Sequence, residues 1–158
     1  MKTKTLLALC LALLLAACGG ASPRPESSER PAAGPAQEVV IFALGLIDTG
    51  YRFGGKNPEA GLDCSGMVAY IFGQAAGLKV GGSAAAIAQR GRPVERADLQ
   101  PGDLLFFNTR NAPFSHVGIY IGDGRFVHAP STNGKVRIDP LDSRYYAQRF
   151  EAARNYFD

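Results

Sequence analysis

Apolar residues near the start of the folded region recur every three or four positions, as they do along one face of an α-helix. In residues 37–50, QEVVIFALGLIDTG, these positions are Val40, Ile41, Leu44 and Ile47. The glycine at the end of the segment can stop the helix. The pattern therefore predicts a helix over this segment that packs on the domain through these four side chains.

A second helical pattern begins at Cys64, in the segment CSGMVAYIFGQAAGL. Asp63 stands at the N-cap position, and Gly77 can close the helix. A shorter helix is predicted in GGSAAAIAQRG, with Ser83 as its cap. One face of the longer helix is predicted to be apolar and to face the core; it comprises Cys64, Met67, Val68, Ile71, Phe72 and Ala75.

The pattern changes after Pro101-Gly102 to short runs rich in β-branched and aromatic residues. These runs are DLLFFN, HVGIYI, RFVHA and KVRID, and clusters of Gly, Asn, Asp and Pro separate them. A short helix is predicted over 140–147, and FEAARNY is predicted to be a final strand. Helices followed by an antiparallel meander indicate an α+β fold, with N-terminal helices packed on a sheet of five to six antiparallel strands.

The loop between HVGIYI and RFVHA decides whether the two histidines of the chain, His116 and His128, share a face of the sheet. A two-residue loop directs them to opposite faces, because side chains alternate along a strand. A three-residue loop, Gly122–Gly124, pairs Gly118 with His128 and places both imidazoles on one face. Such a loop favours glycine at its last, left-handed position, where Gly124 stands. We therefore predict a three-residue loop and neighbouring histidines.

The N-terminus has the features of an export signal. Lys2 and Lys4 precede an apolar run over 6–17 that is shorter than the roughly 20 residues of a membrane-spanning helix. The run ends in LAAC, which resembles the lipobox of bacterial lipoproteins, so we expect a signal peptide over 1–17 and a lipidated Cys18. The alternative is an ordinary signal peptide with an incidental cysteine. Glycine rather than aspartate after the cysteine favours the periplasmic face of the outer membrane.

Residues 18–36 are rich in Pro, Ser, Gly and Ala and carry no large apolar side chain, which predicts a flexible tether before a domain over 37–158. The length of 158 residues suits one such domain. The formal net charge of +3 includes two lysines of the signal, and the remainder carries 15 basic and 14 acidic residues. This balance, without any Lys/Arg run, argues against a nucleic-acid partner.

Export leaves Cys64 as an unpaired thiol in a compartment where cysteines normally form disulfides. Cys10 would leave with the signal, and Cys18 would carry lipid. A helix N-terminus lowers the pKa of a thiol and offers the backbone N–H of Cys64 to an oxyanion. One of the two imidazoles can accept the thiol proton, and the other can form a hydrogen bond to the first and fix its orientation. The alternatives are a small buried cysteine and two structural histidines.

The segments YRFGG, GLDCSGMVAYIF, QPGDLLFF and HVGIYIGDGRFVHAPS, in this order, resemble the NlpC-type bacterial cell-wall peptidases over roughly 37–157. The resemblance implies a papain-like core with Cys64 as nucleophile, His116 as base and His128 as its orienting partner. It implies that Tyr51 lies near the nucleophile and contacts the substrate or the oxyanion. It also implies catalysis without a cofactor. The implied reaction is cleavage of peptidoglycan stem peptides, usually at the bond between D-glutamate and diaminopimelate or lysine.

Two further residues are expected at the substrate site. Asp63 caps the helix and can also bind a substrate amine, while Ser65 either points at substrate or only occupies the first helical turn. The expected partners are stem peptides and, through the lipid, a membrane; the sequence does not identify any adaptor or regulator.

Three other functions stay open at this stage. In the first, Cys64, His116, His128 and Asp63 are zinc ligands of a metal-dependent hydrolase, although the short-spaced ligand pair of many zinc sites is missing. In the second, the chain is a non-catalytic envelope lipoprotein that binds cell-wall peptides. In the third, the site transfers an acyl or amide group to an acceptor other than water.

Overall fold

Residues 34–132 and 134–157 are described by the computed structural model. The predicted signal peptide, Cys18 and most of the predicted tether lie outside this range. Within it, no helix has the length and apolar character needed to cross a membrane. The helices are α1 (Pro35–Gly45), α2 (Cys64–Ala76), α3 (Ala84–Ala88) and α4 (Arg144–Ala147), together with a 3-10 turn at Arg96–Asp98.

Six strands form one antiparallel sheet in the spatial order β3-β8-β4-β5-β6-β7. A separate hairpin pairs β1 with β2. The strands are β1 (Lys56–Asn57), β2 (Gly61–Leu62), β3 (Arg92–Val94), β4 (Leu104–Phe107), β5 (His116–Gly122), β6 (Arg125–His128), β7 (Arg137–Pro140) and β8 (Phe150–Asn155). The α+β prediction and the number of strands are confirmed.

The strand order of the sheet differs from that of the predicted meander. Strands β4 to β7 follow one another as expected, but β8 returns to pair between β3 and β4. The sequence pattern missed β3, which is three residues long and contains Pro93. Proline cannot donate to a strand ladder and is therefore confined to sheet edges, where β3 lies.

Helix α1 forms where the sequence predicted a helix, but it ends at Gly45 rather than at Gly50 and packs through a different face. Val39 and Ala43 are fully buried, whereas Ile41 is 54% exposed and Leu44 is 40% exposed. The predicted contact face of Val40, Ile41, Leu44 and Ile47 is therefore wrong. Apolar residues occupy every position from 39 to 44, so their spacing does not identify the buried stripe.

Helix α2 agrees closely with its sequence prediction. Its caps are the predicted ones: Asp63 accepts a hydrogen bond from the N–H of Gly66, and Gly77 adopts the left-handed conformation. Five of the six residues of the predicted apolar face are buried, and Ala75 is partly buried. Because α2 packs against β5, its N-terminal residue Cys64 is held near the first residues of that strand.

The sheet separates two apolar clusters. One contains Val117, Ile119 and Val127 together with buried residues of α1, α2 and α3. The other contains Phe107 and Phe126, together with side chains such as Tyr146 of α4 and Ala153 of β8. The β5–β6 hairpin therefore sends alternate side chains into two packed layers, which fixes its register.

The predicted pairing of Gly118 with His128 is confirmed, but the predicted three-residue loop, with Ile121 opposite Arg125, is wrong. Gly118 lies opposite His128, while the loop contains only Asp123 and Gly124 because Gly122 pairs with Arg125. Ile121 forms a bulge in β5 and supplies the extra residue that we had assigned to the loop. Asp123 and Gly124 have φ values of 51° and 66°, typical of the primed turns that join short hairpins.

Candidate active site

Cys64 is the first residue of α2, and its position is fixed by the Asp63 carboxylate that precedes it. One carboxylate oxygen, Oδ1, accepts hydrogen bonds from the Gly66 N–H at 2.7 Å and the Ser65 hydroxyl at 3.1 Å. The other, Oδ2, accepts from the Gly54 N–H at 2.9 Å. Asp63 thus ties the helix start to the 52–55 loop, and Ser65 takes part in the same cap.

The two histidines lie at the facing ends of adjacent strands, His116 at the start of β5 and His128 at the end of β6. His116 Nε2 and His128 Nδ1 are 2.8 Å apart, a hydrogen bond between two buried rings. The second nitrogen of His128, Nε2, lies 2.8 Å from Asp139 Oδ2. This arrangement leaves Nδ1 of His116 as the nitrogen available to a thiol.

Space and packing around the two imidazoles fix their orientation. A methyl group at Gly118 would lie 2.6 Å from the Phe126 ring and 3.2 Å from the Cβ of His128, so only glycine fits between the strands here. Phe126 and Tyr146 pack on His128 with ring centroids 4.7 and 5.2 Å away. The aromatic layer therefore holds the second imidazole against rotation.

The thiol of Cys64 is buried, with 8% of the residue exposed. Burial raises its pKa above the ordinary value, and the lowering effect of hydrogen bonds from the backbone of Val117 and Ser65 does not cancel this. The prediction of a lowered pKa for Cys64 at the helix terminus is therefore wrong, because desolvation of the thiolate is the largest effect and leaves the pKa raised.

His116 is also held in its neutral form. Burial above all, together with electrostatic interactions with His128, Arg110 and Arg137, lowers its pKa to about 3. At neutral pH the resting site thus contains a neutral thiol and a neutral imidazole. A neutral thiol and a neutral imidazole can react if the thiol proton passes to the imidazole as the sulfur attacks, so that no isolated charge is created beforehand.

Cys64 lies where two lobes of one cleft meet. The first lobe, of about 450 Å³, is also lined by His116, Arg137 and Asp139. The second, of about 750 Å³, is also lined by Asp63, Ser65 and a rim of residues from the 110–115 segment. Tyr51, Cys64 and Arg110 line both lobes. A chain that occupies both lobes therefore passes over the thiol.

Comparison with known proteins shows the family of this chain. The model of the NlpC/P60 family matches residues 48–155. The chain belongs to the NlpC/P60 family. The resemblance that the motifs indicated is thereby confirmed, and with it the family's α+β fold.

Individual relatives of this NlpC/P60 chain match over most of its length. A probable endopeptidase of Mycobacterium tuberculosis is 42% identical over 135 residues, which are 84% of this chain and 34% of the relative. The γ-DL-glutamyl hydrolase of Bacillus subtilis is 39% identical, over 82% of this chain and 32% of the relative. This chain thus spans about a third of the length of these relatives.

A crystal structure shares the fold of this NlpC/P60 chain. An NlpC/P60 family protein from Bacillus cereus superimposes with a TM-score of 0.73 and 29% identity, over 78% of this chain and 40% of that protein. The likeness extends well beyond the motif segments, so it supports the whole α+β layout rather than the site alone.

Three charged residues of the site in this NlpC/P60 domain were not predicted from the sequence: Arg110, Arg137 and Asp139. Arg137 and Asp139 alternate along β7, and Arg137 lies directly opposite His128 in β6. The signal was present in the segment KVRID, where three charged residues alternate with apolar ones at and just before the strand adjacent to the His128 strand. Arg110 belongs to a loop without such a pattern.

Two of the four side chains proposed as zinc ligands, His128 and Asp63, have other partners in this domain. Both ring nitrogens of His128 are engaged, by His116 and by Asp139, and the Asp63 carboxylate holds the cap of α2. Among residues 34–132 and 134–157, no group of three His, Cys, Asp or Glu side chains is arranged to hold a metal ion. The arrangement of these described residues fits proton transfer better than metal ligation.

Proposed function

We propose that the protein is a cysteine endopeptidase that hydrolyses stem peptides of peptidoglycan. The observation that carries the proposal is the position of Cys64, at the junction of the two cleft lobes, in a cavity that it shares with the hydrogen-bonded His116. Membership of the NlpC/P60 family and the names of the endopeptidase relatives support the reaction class.

In the proposed mechanism, Cys64 Sγ attacks the scissile carbonyl carbon while its proton passes to Nδ1 of His116. The backbone N–H of Cys64 is among the first four of α2, which have no acceptor within the helix, and it donates to the oxyanion. The protonated His116 gives its proton to the leaving amine. Water, deprotonated by His116, then hydrolyses the thioester and restores the thiol.

The other residues of the cleft have substrate-binding or structural roles in this proposal. Tyr51 lies at the junction of both lobes and contacts the peptide beside the thiol. Asp63 and Ser65 line the larger lobe, but both take part in hydrogen bonds of the helix cap, so their role is mainly structural. Arg110, exposed at both lobes, provides a positive charge for a stem-peptide carboxylate.

The proposed bond is the one between D-glutamate and diaminopimelate. The Bacillus subtilis relative is named for hydrolysis of a γ-DL-glutamyl bond, which supports a γ-glutamyl acyl group in this chain as well. The cleft is open on both sides of Cys64, which suits an endopeptidase that binds residues before and after the cleaved bond.

Mass spectrometry of digested muropeptides tests this proposal. With disaccharide-tetrapeptide as substrate, we expect one product that ends in D-glutamate and one dipeptide that begins with diaminopimelate. Iodoacetamide should abolish the digestion, and EDTA should leave it unchanged. Digestion that a chelator stops and an alkylator does not, or release of D-alanine alone, would contradict the proposal.

We further propose that the protein is exported and anchored in the envelope through lipid on Cys18, at the periplasmic face of the outer membrane. The support is the order of basic residues, apolar run and LAAC at the N-terminus. The Cys18→Ala variant should move from the membrane fraction to the soluble periplasmic fraction. An unchanged distribution between these fractions would refute the anchor.

A further inference from the structure

Beyond the cysteine and the two histidines, a continuous chain of hydrogen bonds reaches a fourth side chain. His116 Nε2 and His128 Nδ1 are 2.8 Å apart, and His128 Nε2 is 2.8 Å from Asp139 Oδ2. We propose that Asp139 is a positioning residue that selects the tautomers of both imidazoles and thereby leaves the Nδ1 lone pair of His116 free for the Cys64 proton. This inference rests on the proposed function for its catalytic consequence, but not for the tautomers themselves.

The selection follows from donor and acceptor chemistry. An ionised carboxylate only accepts hydrogen bonds, so His128 must carry its proton on Nε2. A neutral His128 then has a bare Nδ1, which accepts from His116 Nε2–H. Neutral His116 is consequently bare at Nδ1, the form that a general base requires. One carboxylate thus fixes the proton positions on two rings.

The opposite arrangement has an inactive base. If His128 carried its proton on Nδ1, it would donate to His116 Nε2, and His116 would hold its proton on Nδ1, facing the thiol. Both arrangements preserve the bond between the two rings, so the histidine pair alone does not choose between them. The choice depends on the group at His128 Nε2, which is Asp139.

Arg137 holds that carboxylate in place and keeps it charged. Its Nε and one terminal nitrogen each lie 2.9 Å from Asp139 Oδ2, the same oxygen that faces His128. Burial raises the pKa of Asp139, but the hydrogen bonds from His128 and Arg137 outweigh burial and leave the pKa below its ordinary value. Asp139 is therefore an acceptor throughout the neutral range of pH.

The negative charge has a second consequence. When His116 accepts the thiol proton, a positive charge appears in a buried site, and Asp139 is the carboxylate at the end of its hydrogen-bond chain. Stabilisation of this charge lowers the barrier of the chemical step, although Asp139 touches none of the reacting atoms. The effect should therefore fall on kcat rather than on KM.

Two substitutions separate these contributions. In Asp139→Asn, the two Arg137 donors keep the amide oxygen at the Oδ2 position, so the tautomers persist and only the charge is lost. In Asp139→Leu, both the acceptor and the charge are lost. Asp123→Asn is the matched control, because Asp123 is an 86% exposed carboxylate at the turn of the same hairpin.

The test combines nitrogen NMR with kinetics on the full chain, purified with a tag that contains no histidine. The chain has two histidines, so four imidazole nitrogens report all tautomers. The wild type and Asp139→Asn should show a protonated Nε2 and a bare Nδ1 on both rings between pH 6 and 8. The leucine variant should lose this pattern, and its kcat on muropeptides should fall by about 10²-fold or more at an almost unchanged KM. The asparagine variant should lose about tenfold, and Asp123→Asn nothing.

Each outcome bears on the inference. Wild-type imidazole shifts in Asp139→Leu would overturn it, even if activity were lost, because the loss would then be merely structural. An inactive wild type whose imidazole shifts still respond to the leucine substitution would support the tautomer selection and contradict only the proposed function. If the leucine variant does not fold, the Arg137→Met/Asp139→Asn double variant frees the amide to turn its NH₂ toward His128. Reversed tautomers are then expected, and unreversed ones would overturn the inference.

Discussion

Replacement of Cys64 by serine is expected to lower kcat for stem-peptide hydrolysis by about 10³-fold or more, with KM within about twofold of the wild type. The hydroxyl fits the space of the thiol, so substrate binding should persist. Its proton is far harder to remove, and His116 is a weak base because burial holds its pKa at about 3. Steady-state kinetics on purified muropeptides measure both constants.

Two control measurements exclude unfolding and loss of substrate binding as causes of the lower kcat. The melting temperature of Cys64→Ser should match that of the wild type, and calorimetry should show substrate binding of similar affinity. A serine variant that is folded and retains activity within about tenfold of the wild type would refute nucleophilic catalysis by Cys64.

Replacement of Gly66 by alanine is expected to lower the free energy of unfolding by about 3 kcal/mol or more. Gly66 lies in the first turn of α2, and a methyl group there would overlap the backbone carbonyl oxygen of Gly55. That carbonyl also accepts a hydrogen bond from the Asp63 N–H at 3.1 Å, so it is not free to move away. The clash should therefore also displace Asp63, the cap of α2, and with it Cys64. Activity should then fall together with stability.

The same helix offers the matched control for this substitution. Gly73 is exposed, and a methyl group there would meet no atom within 4 Å. Gly73→Ala should therefore stabilise the protein by about 0.5–1 kcal/mol through helix propensity alone. Urea denaturation of the two variants separates the effects. If Gly66→Ala were as stable as the wild type, the close contact between α2 and the 52–55 loop would be wrong.

The elements that the sequence predicts best are those for which several independent sequence signals agree. For α2, the apolar periodicity, the Asp63 cap and the Gly77 stop all indicate the same helix, and the structure has it with that face buried. For α1, apolar side chains surround most of the helix, so the helix was predictable and its buried face was not. Tertiary packing alone selects Val39 and Ala43.

The hairpin shows how a correct register followed from an incorrect loop. A residue count between the histidines establishes that one extra residue is needed to bring them to one face, but not where it goes. The structure places it as a bulge at Ile121 and keeps a tight Asp123–Gly124 turn. Local turn preferences could not distinguish these arrangements, because Gly122 and Gly124 both suit positive φ.

Asp139 was not found because its role depends on two strand registers in succession. It pairs with Phe126 across the β6–β7 ladder and reaches His128 as a diagonal neighbour. The chemistry of the thiol was misjudged for a related reason. A helix terminus is visible in sequence, but the burial that raises the pKa of Cys64 is a property of the whole fold.

The central claim is that Cys64 forms a covalent acyl-enzyme, and the intact mass of the protein during turnover tests it most directly. Wild-type protein mixed with excess disaccharide-tetrapeptide and quenched in acid should carry the mass of the acyl fragment that ends in D-glutamate. Peptide mapping should place this fragment on the peptide that contains Cys64, and it should disappear as substrate is exhausted. Hydrolysis that continues after complete alkylation of Cys64, or a fragment attached to another residue, would contradict the account.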